Sequence, residues 1–590
     1  MKNEEKLHNL RHSLAHLLAA SVGEIYKFDK VKLTLGPAID NGFYYDIDFG
    51  DEKVSDTDLK KIEDKMKKIL PKWTEWEHKE ISKDEALNFF KNEYKQELIN
   101  EIAERGEKIT TYTCGGFTDL CRGGHLEHPA TEIDPESFQL DRVAGAYWRG
   151  DEKNKMLTRI YGLAFETKEE LEAYLKQREE AEKRDHKKLG KELDLFVFSD
   201  LVGSGLPLWT PKGTILRNLL DDFVWELRQK RGYVKVEIPH ITKKELYEKS
   251  GHWDKFKNEL FRITTREGHE FAMKPMNCPH HIQIFDRKQW SYKELPQRYC
   301  NSTTCYRDEQ SGELSGLSRV RSFTQDDAHV FLRMTQVKEE FLKVWDIVQE
   351  FYKSFGFEMR VRLSLHDPAE PDKYLGGQDK WENAEATLRE IVTSKDVNWF
   401  EGIGEAAFYG PKLDFMAKDA IGREWQVATI QIDMNMPERF DLFCINEKGE
   451  QERLVMLHAA IMGSIDRFLS ILIEHVAGAF PLWLSPVQVK VIPVRTNHNE
   501  YAKEIYELLK TNNIRAELDD SDSNLGGKVR DAKNNKLPYW IVIGDKEIEA
   551  GKITLESRDL PTGQAGAGQL GQISKEELVL KLLEEIKNKK

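Results

Sequence analysis

The sequence predicts an α+β chain of several domains, and three observations carry that expectation. Its 590 residues exceed what one hydrophobic core organises; at about 150 residues per domain they imply roughly three or four. Between about Asp194 and Leu484, helical segments such as Thr335 to Phe355 mix irregularly with β-rich runs such as Glu358 to Ser364 and Glu424 to Asp433. Strands that are not spaced by regular helices pair antiparallel, so this block is not doubly wound. After Pro486 the rhythm becomes βαβα, which implies a small α/β domain with a mostly parallel sheet.

The elements follow in order. Residues 7–22 read as a short amphipathic helix, and residues 30–50 as strands that turn at Gly36-Pro37 and Asn41-Gly42. Residues 56–106 read as helical and highly charged, residues 110–162 as strand and loop. Lys168 to Lys191 is a Lys/Glu-rich helical run with few large apolar residues; it cannot form a core alone and reads as a connecting helix. In the last domain, Val487–Pro493, Ala516–Leu518 and Trp540–Ile543 read as strands, and Asn499–Asn512, Lys528–Asn534 and Ser574–Lys589 as helices. The expected division is therefore 1–166, a connecting helix over 167–193, 194–484 and 485–590. No period of 20 to 50 residues repeats, which argues against a solenoid.

Composition narrows the function classes. With 39% hydrophobic, 10% aromatic and 32% charged residues, the chain is an ordinary soluble folder. Its 88 Lys and Arg against 102 Asp and Glu leave a net charge of −14, which excludes a protein that binds nucleic acid merely by being basic but leaves room for local basic grooves. Residues 485–590 hold 17 charges of each sign, so the acidity falls on the residues before them. Met1 to Lys6 has no apolar stretch of the signal-peptide kind. The most apolar run, Phe468 to Val487, is interrupted by Glu474, His475, Pro481 and Pro486 and falls short of a membrane span. Six Cys without a CxxC pair form no disulfide framework, so a cytoplasmic protein is expected.

Two constellations could hold chemistry. His12 and His16, spaced i, i+4 on a helix, share a face, and Cys121 and His125 repeat that spacing. Two such pairs have the ligand types of a tetrahedral zinc site and equally those of a metal-free polar pocket. The run from Thr113 to His125 packs glycines beside polar side chains, as loops that approach a ligand do. In the central block Cys278, His329 and His458 are linked by no spacing, and lone buried Cys or His residues are usually structural. Arg307 and Glu309 precede a Gly/Ser-rich loop, Ser311 to Ser318, and Arg319 and Arg321 follow it. Such a set suits a polyphosphate plus a base, although surface ion pairs on a solvated hairpin are the commoner fate.

At these residues the sequence resembles the threonyl-tRNA synthetases, class II aminoacyl-tRNA synthetases, from about residue 8 to near 590. Gly232-Tyr233 to Glu237-Ile238-Pro239 resembles class II motif 1, Tyr306-Arg307-Asp308-Glu309 through Arg321-Ser322-Phe323 motif 2, and Gly463-Ser464-Ile465-Asp466-Arg467-Phe468 motif 3. The strings M-K-P-M-N-C-P, F-T-Q-D-D-A-H and F-Y-G-P-K-L-D-F are specific to this synthetase within the class, and H-S-L-A-H with C-R-G-G-H resembles its editing domain.

The resemblance implies a class II antiparallel-sheet catalytic core at 194–484, an α+β editing domain at 1–166 and an α/β anticodon-binding domain at 485–590, without the family's small N-terminal ubiquitin-like module. It implies ATP-dependent ligation of L-threonine to tRNA(Thr) through a threonyl-adenylate, and editing of seryl-tRNA(Thr). It reverses the metal ranking: one zinc falls to Cys278, His329 and His458, and the N-terminal set becomes a metal-free hydrolytic pocket of His12, His16, Lys95, Asp119, Cys121 and His125. Lys95 follows from Tyr94-Lys95-Gln96-Glu97-Leu98-Ile99, which resembles the family string Y-K-x-E-L-I. Arg307, Glu309 and Arg467 are the implied catalytic residues, with Arg319, Phe323, Gln426, Thr429 and Ser464 also on ATP, Mg²⁺ neutralising its phosphates, and Gln325, Asp327, Tyr409, Lys412 and Gln431 around threonine. Motif 1 implies a homodimer. Glu547 is the implied anticodon reader; Glu556 stands where the family's partner Arg is expected, so Arg558, with Lys528 and Arg530, is expected to take that contact.

Some strings depart from the family pattern. N-C-P-G-H reads N-C-P-H-H here, C-R-G-P-H reads C-R-G-G-H, H-R-A-I-L-G-S reads H-A-A-I-M-G-S, and the Gly-Thr before the pocket Gln reads Ala428-Thr429. Two rival readings are a catalytically idle paralogue that binds tRNA and a zinc hydrolase centred on the N-terminal set. Intact Arg307, Glu309, Arg467 and zinc-ligand positions count against the first.

Overall fold

The helix expected over residues 7–22 runs from Lys2 to Tyr26 in the computed structural model, which describes residues 2–559 and 569–589. Two units, Met1–Glu179 and Glu180–Lys590, each pack around their own core. In the first, strands Lys32–Leu33, Gly42–Asp48, Met156–Ala164 and Phe138–Tyr147 form an antiparallel sheet in that order, with Ala38–Ile39 paired to Gly42–Asp48. The strand period of two turns Phe43, Tyr45 and Ile47 into the core that also buries Leu14, Leu17 and Leu18 of the helix. The turn expected at Asn41-Gly42 forms, with Asn41 at φ 62°.

Two expectations for this part of the chain need correction. Residues 56–106 are helical over Leu59–Ile69, Lys83–Phe89 and Glu93–Glu104, but Glu77–Glu80 is a strand paired with Thr110–Cys114. Its four side chains are all exposed, so no apolar period marked it, and backbone pairing with a distant segment decides it. The run from Lys168 to Lys191 is two helices, Lys168–Arg184 and His186–Glu192. Asp185 breaks it and caps the second, accepting from the Lys187 amide at 2.7 Å.

The second unit is built on an eight-stranded sheet. Its middle is antiparallel, in the order Gln297–Tyr306, Ser322–Leu332, Val455–Ser464, Glu424–Asp433, Lys412–Lys418 and Glu358–Leu365. Short parallel strands, Val234–Lys235 and Trp399–Ile403, close its two edges. Helices Pro211–Gln229, Val337–Lys353 and Ile465–His475 bury one face, with Trp345, Phe341 and Phe468 fully enclosed. The other face is left for the site.

Beyond Pro486 a five-stranded sheet runs Ala516–Leu518, Val489–Pro493, Tyr539–Ile543, Ile553–Ser557 and Gln569–Ile573. The first two pairings are parallel and the last two antiparallel, so only half of it is parallel as expected. All six cysteines are free, and no helix among the described residues is long and apolar enough to cross a membrane.

Candidate functional site

His12 and His16 lie one turn apart on the first helix, Lys95 lies in the first turn of the Glu93–Glu104 helix, and Asp119 lies on the Phe117–Leu120 strand just before Cys121 and His125. The fold brings all six together. Cys121 Sγ lies 3.5 Å from His12 Nε2 and 3.4 Å from His125 Nε2. Asp119 meets His16 Nδ1 at 3.2 Å, accepts from Lys95, and accepts from the Tyr45 hydroxyl at 2.7 Å. Trp76 stacks on His125 with ring centroids 4.0 Å apart. Neither Tyr45 nor Trp76 was expected; Tyr45 could have been found from the inward alternation of its strand, whereas Trp76 carries no local signal.

Electrostatics tune this pocket. Burial works against the Cys121 thiolate, but hydrogen bonds from His12, His125 and His16 overcome it and hold the thiol down to about 3. Burial likewise disfavours charged His16, but Asp119 and Cys121 raise it to about 9. Gly124 sits at φ 84°, a left-handed conformation closed to proline, and its carbonyl lies 3.0 Å from His12 Nδ1. The glycine standing where the family string has Pro therefore gives this loop a backbone path that Pro could not follow. Within 4.8 Å of one another, His12, His16, Cys121 and His125 also make a complete donor set for a cation.

The second set converges through sheet register. His329 and His458 face each other across neighbouring strands, and Cys278 starts the Cys278–Phe285 helix beside them. The three are buried with their ligand atoms within 4.8 Å of one another. His458 Nε2 is bound to Asp433 at 2.9 Å and His329 Nδ1 to His281 at 2.7 Å, so each ring turns its other nitrogen inward. Burial pushes the Cys278 thiol up, and nearby Asp327 and Asp433 push the same way. A cation at this point would relieve both carboxylates, so the donors and their surroundings fit a three-ligand metal site.

Around it opens a cavity of about 500 Å³ lined by Arg307, Phe323, Gln325, Asp327, Tyr409, Lys412, Gln426, Thr429, Gln431, Ser464 and Arg467. The strand period explains the grouping: Gln325, Asp327 and His329 alternate on one strand, as do Thr429 and Gln431 on another. Arg307 and Arg467 have no carboxylate partner among the described residues; Arg307 instead lies over the Phe256 and Phe323 rings. Glu309 and Arg319 lie outside this lining and pair with each other at 2.7 Å. Ser464 caps the Ile465–His475 helix, accepting from the Arg467 amide at 3.2 Å.

Two supports were missed. Fully buried Asp414 accepts from Thr429, Gln426, Lys412 and Arg362 and so organises the cavity floor. Asn277 donates to Asp327 at 3.1 Å, and the buried Lys274 ammonium donates to the other end of that amide at 3.0 Å. Asp414 lies two residues beyond Lys412 on the same strand, which was the available signal.

Known proteins resemble this arrangement. Residues 261–476 match the class II tRNA synthetase core domain family (G, H, P, S and T), residues 488–585 the anticodon binding domain, and residues 109–161 the threonyl and alanyl tRNA synthetase second additional domain. The threonine–tRNA ligase of Flavobacterium johnsoniae is 48% identical over 580 residues, 98% of this chain and 88% of the relative. The chain belongs to the threonyl-tRNA synthetase family. The corresponding ligase of Deinococcus radiodurans is also 48% identical, over 98% of this chain and 89% of its own. Among solved structures, the RNA binding domain of threonyl-tRNA synthetase from Cryptosporidium parvum Iowa II aligns with a TM-score of 0.64 at 35% identity, covering 68% of this chain and 98% of that one.

Seen as a threonyl-tRNA synthetase, the chain places its expected anticodon residues unevenly. Arg558 donates to the carbonyls of Phe480 at 3.1 Å and Lys536 at 2.6 Å, just past the end of its strand. Lys528 is buried, with its ammonium on the Asp519 carbonyl at 2.8 Å. Both cations are thus spent inside the fold, contrary to the expectation that they face RNA. Glu547 is half-buried and accepts from Thr554 and the Gly544 amide, whereas Arg530 is exposed and engaged by nothing among the described residues.

Proposed function

We infer that this chain activates L-threonine with ATP, transfers it to the terminal ribose of tRNA(Thr), and hydrolyses seryl-tRNA(Thr) at its N-terminal pocket. The observation that carries the reading is one cavity holding two guanidiniums without a carboxylate partner among the described residues, Arg307 and Arg467, beside the buried Cys278, His329 and His458 donors. A threonine carboxylate oxygen attacks the α-phosphorus and pyrophosphate leaves. Arg307 holds the α-phosphate and stabilises charge building there. Glu309 accepts from the adenine amino group, while Arg319 and Arg467 pin the triphosphate, whose charge Mg²⁺ lowers. Phe323, Gln426, Thr429 and Ser464 complete the nucleotide contacts, and Gln325, Asp327, Tyr409, Lys412 and Gln431 enclose threonine. Cys278, His329 and His458 would hold one zinc per chain, which would supply Lewis-acid binding of the amino and hydroxyl groups of threonine. Valine lacks the hydroxyl and is rejected. Serine has both groups and differs by one methyl contact, worth about 1–3 kcal/mol, so the second pocket clears it.

Amino-acid-dependent exchange of labelled pyrophosphate into ATP tests this. Exchange should be strong with threonine, weak with serine and nearly absent with valine; folded, zinc-loaded protein that exchanges with no amino acid overturns the reading and favours the idle paralogue.

Anticodon reading falls to Arg530 with Glu547, and Arg558 acts as a strut beneath the last domain. On tRNA with altered anticodon bases, Arg530→Ala should lose about 1–3 kcal/mol of discrimination. Arg558→Ala should keep its base preference; if it loses that preference while Arg530→Ala does not, the assignment is reversed. The protein works in the cytoplasm as a homodimer through its motif 1 edge, where Val234 and Ile241 are exposed.

A further inference from the structure

We propose that His186 is a positioning residue for the ATP-binding loop, tying the backbone of that loop to the end of the helix that carries Arg467. The proposal rests on the reading that Arg307, Glu309 and Arg467 hold the nucleotide. His186 starts the His186–Glu192 helix and is 5% exposed. Its Nε2 accepts from the Leu317 backbone N–H at 3.0 Å. An N–H donor there requires an unprotonated Nε2, so the ring proton sits on Nδ1, which donates to Glu474 Oε1 at 2.6 Å. Asp185, His186 and Glu474 have the donor types of a cation site, yet both ring nitrogens are already committed within the protein. The cluster is a brace.

Each end of the brace meets the nucleotide site. Leu317 is fully buried, and around it Ser315 and Arg319 exchange backbone hydrogen bonds of 3.1 and 3.3 Å that close the loop tip. Arg319 in turn donates to Glu309 at 2.9 Å, so the height of Leu317 sets both groups that grip ATP from this side. At the other end, Glu474 lies about two turns beyond Arg467 on the same helix and is also held by Arg423 at 2.6 Å. The loop approaches the ring so closely that a Cβ at Gly316, φ 51°, would fall 2.2 Å from Nε2. His186 thereby fixes the distance between the loop that takes the base and the helix that takes the phosphates.

The test is steady-state pyrophosphate exchange by the full-length, zinc-loaded enzyme, normalised to titrated active sites. His186→Phe keeps the bulk of the ring and loses both hydrogen bonds; it should raise the KM for ATP about tenfold and leave the KM for threonine within about twofold. His186→Gln offers one donor and one acceptor and should bring the ATP KM back to within about threefold of the parent. Gly316→Ala presses on the same contact from the loop side and should raise the ATP KM even if His186→Phe fails to fold. Arg307→Ala is the companion. If Arg307→Ala raises the ATP KM and neither His186→Phe nor Gly316→Ala does, the brace is refuted alone. If Arg307→Ala also leaves the ATP KM unchanged, the nucleotide assignment fails and the brace falls with it. A proportional loss of active sites with both KM values unchanged shows a merely structural role and likewise refutes it.

Discussion

Cys278→Ala should release the zinc and lower threonine-dependent adenylate formation by at least about 100-fold. The expectation rests on three buried donors set within 4.8 Å of one another, with the outer nitrogens of His329 and His458 already engaged. Removing one donor from such a set leaves two imidazoles, which bind far more weakly because the thiolate carried the charge. Metal analysis gives the direct readout: about one zinc per chain in the parent, little in Cys278→Ala, and an undiminished content in His12→Ala. The reverse pattern would move the metal to the His12, His16, Cys121, His125 set and revive the hydrolase reading. Asp433→Ala should fall between, with metal affinity reduced about 10–100-fold, since it orients His458 without touching the ion.

Cys121→Ala or His12→Ala should leave threonine charging within about twofold and let seryl-tRNA(Thr) accumulate. A pocket that differs from the correct fit by one methyl contact discriminates by only about 10–200-fold, so that fraction of mischarged product becomes visible once hydrolysis stops. Separate domains make the two losses separable. Variants that clear mischarged serine as fast as the parent would exclude this pocket from editing. The pH dependence has a defined sign. His16 is raised from 6.5 to about 9, so the stability its charged form adds is complete below about 6.5 and disappears as pH rises through about 9. Cys121 is depressed to about 3 and stays ionised over the same range. Deacylation that uses charged His16 should therefore decline on the alkaline side as pH rises through about 9, while threonine activation does not follow it.

Legibility in the sequence depended on how local each signal was. His12 and His16 were readable as a pair because helical spacing puts them on one face, and Arg307 with Glu309 because a loop of small residues follows them. Cys278, His329 and His458 were readable only through a family resemblance, since a cross-strand register joins them and no spacing records a register. Asp414 went unread because a buried carboxylate reveals its role only through four partners, three of them on two neighbouring strands. Glu77–Glu80 was misjudged as helical because exposed strands lack apolar alternation. For Arg558, same-side geometry on a strand was sound, but the strand ends at Ser557 and the guanidinium turns back to two carbonyls.

His329 and His458 are register partners, and Gln431 is the residue opposite His458 on the next strand. A slip of one residue between the two histidine strands would send one imidazole to the opposite face of the sheet. Were zinc held there as proposed, its uptake would check strand alignment during assembly, since only chains whose central strands have closed in the correct phase bring both imidazoles to the Cys278 side. Metal retained per chain, counted during refolding, would then mark the arrival time of the middle of the sheet.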